Sequence, residues 1–273
     1  MSAREETGDT TAEWRRLTAR PGPTAPVHLD GFHALKHALR FDAAVQLAVT
    51  TDRTATLALA AELAPELTTR LDALLRDVTS AELARLVTRP HPTGVAALAA
   101  RPPVPPADRA RTAPLVVLDN PRHLGNTGAV IRLAAGAGAA GVLTTGTVDP
   151  WNPGVVRAAA GLHYALPVAR CEVAELPTGP MFALDPEGVD IRDLVVPDDA
   201  LLAFGSERHG LSAAARARAD HLVSLPMRPL VSSYNLATSV SMALYHWLAR
   251  QPRGRGAPGA DTGGGPSEAR PPG

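Results

Sequence analysis

The stretch "LVVLDNPRHLGNTGAVIRLAAGAGAAGVLTTG", residues 115–146, decides the fold of the larger part of this chain. "LVVLDN" is a short continuous apolar run, the pattern of a strand buried on both faces. "PRHLGNTGAVIRLAAGAGAAG" reads as a glycine-punctuated helix, and "VLTTG" as a second strand. Strand, helix and strand in that order make a β-α-β unit, with parallel strands and a right-handed crossover. Further strands are expected at "MFALD", "ALLAFG" and "HLVSLPM", and helices at "NPGVVRAAAG" and "LSAAARARA". A last helix is expected from about Asn235 to Arg250. The fold class is α/β, built on a parallel sheet.

Outward from this unit the composition changes. "RPPVPPADRARTAP", residues 101–114, is dense in proline and lacks periodicity, so it reads as an extended interdomain linker. Residues 27–100 form a small α/β unit. There "DGFHALKHALRF" places Phe32, Leu35, Leu39 and Phe41 at helical spacing, and "AAVQLAVT" reads as a strand. "TATLALAAELAPELTTRLDALLRDV" is helical with a break at Pro65, and "TSAELARLV" is a capped helix with Glu82 in its first turn. Residues 1–26 are polar and end in Pro-rich sequence, which predicts a mostly flexible lead with room for a short helix around Trp14. Residues 251–273 are of low complexity and read as a disordered tail, leaving residues 115–250 as the larger domain.

With 45% apolar and only 4% aromatic residues, the core must be built from Ala, Leu and Val. Net charge is zero, from 27 basic and 27 acidic residues, and Lys36 is the only lysine. A nucleic-acid binder usually carries a basic excess, so any RNA contact here must use a local patch of arginines. The single Cys171 excludes an intrachain disulfide framework and has no partners for a zinc cluster, and no metal is expected. No apolar run approaches the length of a membrane span, so no membrane partner is expected and the cytoplasm is the expected compartment.

Three stretches each have two readings. In "NPRHLGNTGAVIR", Gly125 and Gly128 permit close backbone approach at a helix start that could hold an anion. The dinucleotide fingerprint G-x-G-x-x-G is absent, and a plain tight turn with Arg132 on a solvated face explains the same residues. In "LLAFGSERHGLS", Gly205, Ser206, Glu207 and Gly210 follow a strand where parallel sheets place ligands. A plain strand-turn-helix capped by Ser212 explains them equally. In "VSLPMRPLVSSYNLATSVSMAL", Asn235 reads as a helix cap and Ser232 or Ser233 as turn residues, or all as parts of a site.

Taken in order, the three stretches are more specific than any one of them. They resemble the SPOUT superfamily, specifically the TrmH (SpoU) group of RNA ribose 2′-O-methyltransferases, strongly over residues 113–250. Residues 27–100 resemble, more weakly, the small substrate-binding domain of such enzymes, through "VHLDGFHALKHAL" and "HPTGVAAL". The resemblance implies a sheet whose C-terminal segment is threaded into a deep trefoil knot, a homodimer through that region, S-adenosylmethionine as cofactor, and rRNA or tRNA as substrate. It implies that backbone around Gly205, Leu225, Met227 and Tyr234 holds the cofactor. Arg132 then matches the catalytic arginine, Asn126 holds it and the glycine turn, and Glu207, Ser233 and Asn235 shape the site. An arginine stays protonated, so its role is to bind a phosphate and polarise the ribose hydroxyl, with that phosphate or an activated arginine taking the proton. Family members usually carry leucine where this chain has Tyr234. Two other outcomes stay open: a non-catalytic RNA-binding dimer of the same fold, and an rRNA methyltransferase dedicated to antibiotic resistance.

Overall fold

The computed structural model describes residues 3–103 and 109–251. The centre of the expected linker and the expected disordered tail from residue 252 lie outside the described residues. The chain opens with α1 (Ala3–Thr18), followed by β1 (Val27–Asp30), α2 (Phe32–Arg40), β2 (Val45–Thr50), α3 (Arg53–Leu63), α4 (Thr68–Leu74), β3 (Leu75–Asp77), α5 (Ser80–Leu86) and β4 (Val95–Ala99). These strands form a four-stranded sheet in the order β1-β4-β2-β3, in which β4 is antiparallel to both neighbours and β2 and β3 are parallel. The sequence does predict the α5 cap: Thr79 and Glu82 exchange side-chain and backbone hydrogen bonds, a capping box. Leu75–Asp77, expected to continue a helix, is instead the edge strand β3, because backbone pairing with Ala48–Thr50 satisfies its peptide groups.

The flexible lead expected over residues 1–26 is corrected. Helix α1 runs for 16 residues, and Trp14 and Leu17 are buried against Leu47, Val49, Val78, Leu83 and Leu98. The polar composition conceals two large apolar side chains at i and i+3, enough to dock one helical face.

The larger sheet follows: β5 (Leu115–Leu118), α6 (Leu124–Ala137), β6 (Gly141–Thr144), α7 (Pro153–Ala158), β7 (Val168–Arg170), β8 (Met181–Asp190), β9 (Leu201–Phe204), α8 (Ala213–Arg218), β10 (His221–Ser224) and α9 (Leu236–Leu248). Its six strands are all parallel, in the order β10-β8-β9-β5-β6-β7. β5 and β9 are buried at every position, as their unbroken apolar runs require. The chain leaves β5 toward β6 and β7, then returns on the other side through β8 and β9. The carboxyl ends of β5 and β9 therefore flank the switch in strand order, where open parallel sheets form a crevice. Between β10 and β8 the register jumps, from Leu222 opposite Ala183 to Val223 opposite Val189, so residues 184–188 have no partner on β10, while Leu184 still pairs with Phe204 of β9.

The two sheets are joined by specific contacts. Arg157 of α7 donates to Asp30 at the end of β1 at 2.8 and 2.9 Å, and Tyr164 Oη donates to Ala100 O at 3.1 Å. His37 Nδ1 lies 2.8 Å from Ala160 O, so that nitrogen carries the proton. Gly161 has φ +74°, and a Cβ there would collide with the Ala34 backbone.

Trp14 offers the test of how α1 is held. Trp14→Ala is expected to lower the unfolding free energy by about 3 kcal/mol, the low end for a buried Trp→Ala change, in urea titrations. A loss below about 0.5 kcal/mol, the level of a surface substitution, would show that the helix is not part of the core.

Candidate active site

The crevice is floored by two loops, the first of which glycine makes possible. After β9, Ser206 and Gly210 exchange backbone hydrogen bonds at 2.9 and 3.0 Å, closing the chain back on itself. A Cβ on Gly205 would strike the backbone of Gly210 and Leu211, and Gly210 itself has φ +66°. The tight turn therefore requires glycine at both positions. After β5, the Asp119 carboxylate is buried and satisfied: Thr145 Oγ1 donates to one oxygen at 2.7 Å and Ser212 N to the other at 2.6 Å. Asp119 thus ties β5, the loop after β6 and the start of α8 together. Sequence reasoning missed this residue, although a carboxylate closing an otherwise apolar strand was a visible signal.

Across this floor runs a chain of side-chain hydrogen bonds. Asn126, in the first turn of α6, donates through Nδ2 to Glu207 Oε1 at 2.8 Å. Asn235 Nδ2 donates to Asn126 Oδ1 at 3.2 Å, and Asn235 Oδ1 accepts from Ala237 N at 2.9 Å as the N-cap of α9. Arg122 N donates to the other Glu207 oxygen at 3.3 Å. Burial alone pushes the Glu207 carboxyl up, but hydrogen bonds from Asn126, its own backbone and Arg122, with the nearby His123, outweigh it. The net pKa lies below the usual glutamate value.

These groups line a cleft of about 380 Å³ with walls from His123, Asn126, Gly205, Glu207, Ser233, Tyr234 and Asn235. A smaller hollow of about 110 Å³ adjoins it, lined by Leu184, Asp185, Leu225, Met227, Ser233 and Tyr234. Tyr234 borders both spaces, and its hydroxyl donates to Pro226 O at 3.0 Å, strapping the loop before α9 to the loop after β10. All the sequence-predicted residues except Arg132 meet here. Arg132 lies two turns along α6, is exposed, and lines neither space. His123, Leu184 and Ser239 also line the cleft and carried no sequence signal of their own.

A cleft of this size at the carboxyl ends of a parallel sheet defines a ligand-binding α/β protein, in the volume range that small-molecule and cofactor sites occupy. Comparison with known proteins narrows the class. Residues 113–245 match the model of the SpoU rRNA Methylase family. An uncharacterized tRNA/rRNA methyltransferase of Synechocystis is 30% identical over 196 residues, covering 64% of this chain and 69% of that protein. The 23S rRNA (uridine(2479)-2′-O)-methyltransferase of Streptomyces viridochromogenes is 34% identical over 154 residues, which cover 51% of this chain and only 54% of that protein's length. A crystal structure of an RNA 2′-O ribose methyltransferase superposes with a TM-score of 0.67 at 27% identity, covering 90% of this chain and 94% of that one. A SpoU methyltransferase from Streptomyces viridochromogenes, solved with AdoMet, shares the fold with a TM-score of 0.69 at 23% identity, covering 88% of this chain and 96% of that one. The chain belongs to the SpoU methylase family.

Glu207 gives a pH test of the bonding chain. A carboxyl whose folded pKa is depressed adds stability that is fully present above its unfolded value, near 4.5, and is lost as pH falls through the folded value. The stability gap between the wild type and Glu207→Gln is therefore expected to be constant near pH 7 and to shrink below about pH 4.5. Urea titrations across that range measure it, and a gap that does not change with pH would show that the carboxylate is not stabilised in the fold.

Proposed function

We propose that this protein is an S-adenosylmethionine-dependent methyltransferase that modifies a ribose 2′-hydroxyl of rRNA or tRNA in the cytoplasm. The observation that carries this reading is the Asn235–Asn126–Glu207 chain. It joins, across one cleft, the three stretches in which the sequence resembles ribose methyltransferases. The chemistry of the walls fits the cofactor. Leu184, Leu225 and Met227 offer apolar surface for a flat ring, while Ser233, Asn235 and the peptide groups around Gly205 offer polar contacts for a ribose and an amino-acid tail. When bound, the cofactor supplies an electrophilic methyl group on a sulfonium, open to in-line displacement without a metal.

The protein's share is placement and charge. Gly205, Leu225, Met227 and Tyr234 hold the cofactor, and Tyr234 fixes the mouth of the hollow through its bond to Pro226. Asn126, held by Glu207 and Asn235, sets the start of α6 and with it the direction of that helix. Arg132, further along the same helix, binds the RNA phosphate beside the reacting ribose and stabilises the oxygen as it loses its proton; it remains a cation throughout. Ser233 lines both spaces and orients what enters them.

The reading includes a homodimer through the larger sheet and a trefoil knot formed by the segments after β8 and β10. Two features support the dimer: Arg132 lies outside the cleft of its own chain, and Leu124, Met242 and Tyr245 expose apolar surface on α6 and α9. A second copy covering these helices would present Arg132 to its partner's cleft. The small sheet, over residues 27–100, is the RNA-binding domain in this reading. No helix among the described residues is long and apolar enough to cross a membrane, and no His, Cys, Asp and Glu group among them could hold a metal.

Incubation with labelled S-adenosylmethionine and bulk rRNA or tRNA, followed by digestion to nucleosides, is expected to place label on ribose. Label on a base would overturn the reading. Arg132→Ala is expected to lose methyl transfer by about a hundredfold or more while binding the cofactor normally by calorimetry. Tyr234→Phe is expected to weaken cofactor binding about two- to tenfold, the net worth of one hydrogen bond. Tighter binding instead would show that the tyrosine hydroxyl obstructs the site.

A further inference from the structure

Away from the cleft, α2 of the small sheet and α6 of the large one meet over the same turn. Both pack on residues Leu162–Tyr164, and the His37–Ala160 bond and the close approach of Gly161 to Ala34 fix their relation. This places Arg132 of α6 within electrostatic reach of His33, Lys36 and His37 of α2. Burial lowers the pKa of all three, and the charge of Arg132 lowers each further.

A cluster of this kind is ordinarily neutralised by carboxylates. Glu66 is close enough to favour the charged form of Lys36, but Arg40 already engages it at 2.6 Å. Arg132 has no hydrogen bond or ion pair among the described residues, and Lys36 has none either. Lys36 is only 8% exposed, and lysine is almost never so buried without a partner. The ammonium itself is not among the buried polar atoms that lack a partner, so a charge on a buried stem reaches solvent and is open to an anion arriving from outside. Lysine also suits the position: a compact charge on a flexible apolar stem can reach outward from a buried root.

Resting on the reading above, which supplies RNA as the anion, we infer that Lys36 and Arg132 together seat a phosphate of the RNA backbone at the junction of the two sheets. Lys36 is a positioning residue here, since it touches neither the reacting ribose nor the cofactor. Its part is to fix where the strand crosses from the small domain onto α6.

The test measures binding of the full chain to bulk rRNA and to bulk tRNA, separately, by filter retention over a range of salt, with cofactor affinity measured in parallel. Lys36→Gln is expected to weaken RNA binding about tenfold and to reduce the slope of log affinity against log salt by about one. KM for RNA should rise to match while kcat changes less than about twofold. Lys36→Arg, which keeps the charge, should recover most of the loss, and cofactor affinity should not move. Lys36→Gln with wild-type RNA affinity and salt slope would overturn the inference, as would an equal loss of cofactor binding, which would mark a structural role. If the wild type methylates RNA while the slope is unmoved in Lys36→Gln, only the phosphate seat fails. If the wild type binds RNA with a lysine-dependent slope but transfers no methyl group, only the methyltransferase reading fails. A wild type that binds neither RNA overturns both.

Discussion

The hydrogen-bond polarity of one short chain of side chains fixes the site. Ala237 N is a donor, so the atom of Asn235 facing it must be oxygen, and the amide nitrogen of Asn235 must point the other way. That nitrogen then requires the oxygen of Asn126, which turns the nitrogen of Asn126 toward Glu207. A donor facing Glu207 Oε1 and a second from Arg122 N at Oε2 require both carboxylate oxygens to accept. The backbone of α9 thereby dictates two amide orientations and the ionised state of a carboxylate on the far side of the cleft. Aspartate at either asparagine position would set acceptor against acceptor, so the interaction depends on residue type and not only on polarity.

That chain can form only because the sheet brings residues distant in sequence to one crevice. Residues 126, 207 and 235 follow β5, β9 and β10, and β5 and β9 are adjacent although β6, β7 and β8 lie between them in sequence. The register jump leaves residues 184–188 without partners on β10, and Leu184 and Asp185 of that stretch form a wall of the second hollow. Buried Asp119 clamps the loops on either side, so the floor of the cleft is rigid where its upper wall, residues 231–235, is largely exposed. Tyr234 compensates on that wall: its hydroxyl makes a bond across two loops that a leucine there would lack.

Much of this was legible in the sequence for a physical reason. Strands buried on both faces must be continuously apolar, so β5, β6, β8 and β9 announced themselves, as did helices bounded by Ser212 and Asn235 caps. The cleft residues were legible because close backbone approach requires glycine and capping requires a small polar side chain. What the sequence concealed depends on contacts between remote segments. α1 is a helix because Trp14 finds a pocket beneath the small sheet, which its own polar neighbours do not disclose. β3 is a strand because β2 offers it an edge. The position of Arg132 outside the cleft follows from helix geometry: six residues beyond Asn126, α6 has risen about 9 Å and turned well away, so one helix cannot present both side chains to the same space.

The distribution of charge gives the same division of labour a reason. A neutral protein lacks the field that draws nucleic acid from a distance, so contacts with RNA must come from cations left uncompensated. Many arginines here are not of that kind. Arg40, Arg53, Arg157, Arg192 and Arg216 are each paired with a carboxylate on the surface. Such pairs add little stability, but they silence cations that would otherwise hold RNA anywhere. Against that background Arg132 and Lys36 stand unpaired at the junction of the sheets, one exposed and one nearly buried. Neutralising part of the surface in this way favours positional selectivity over general attraction, because affinity gained at few phosphates favours the register in which those phosphates meet unpaired cations.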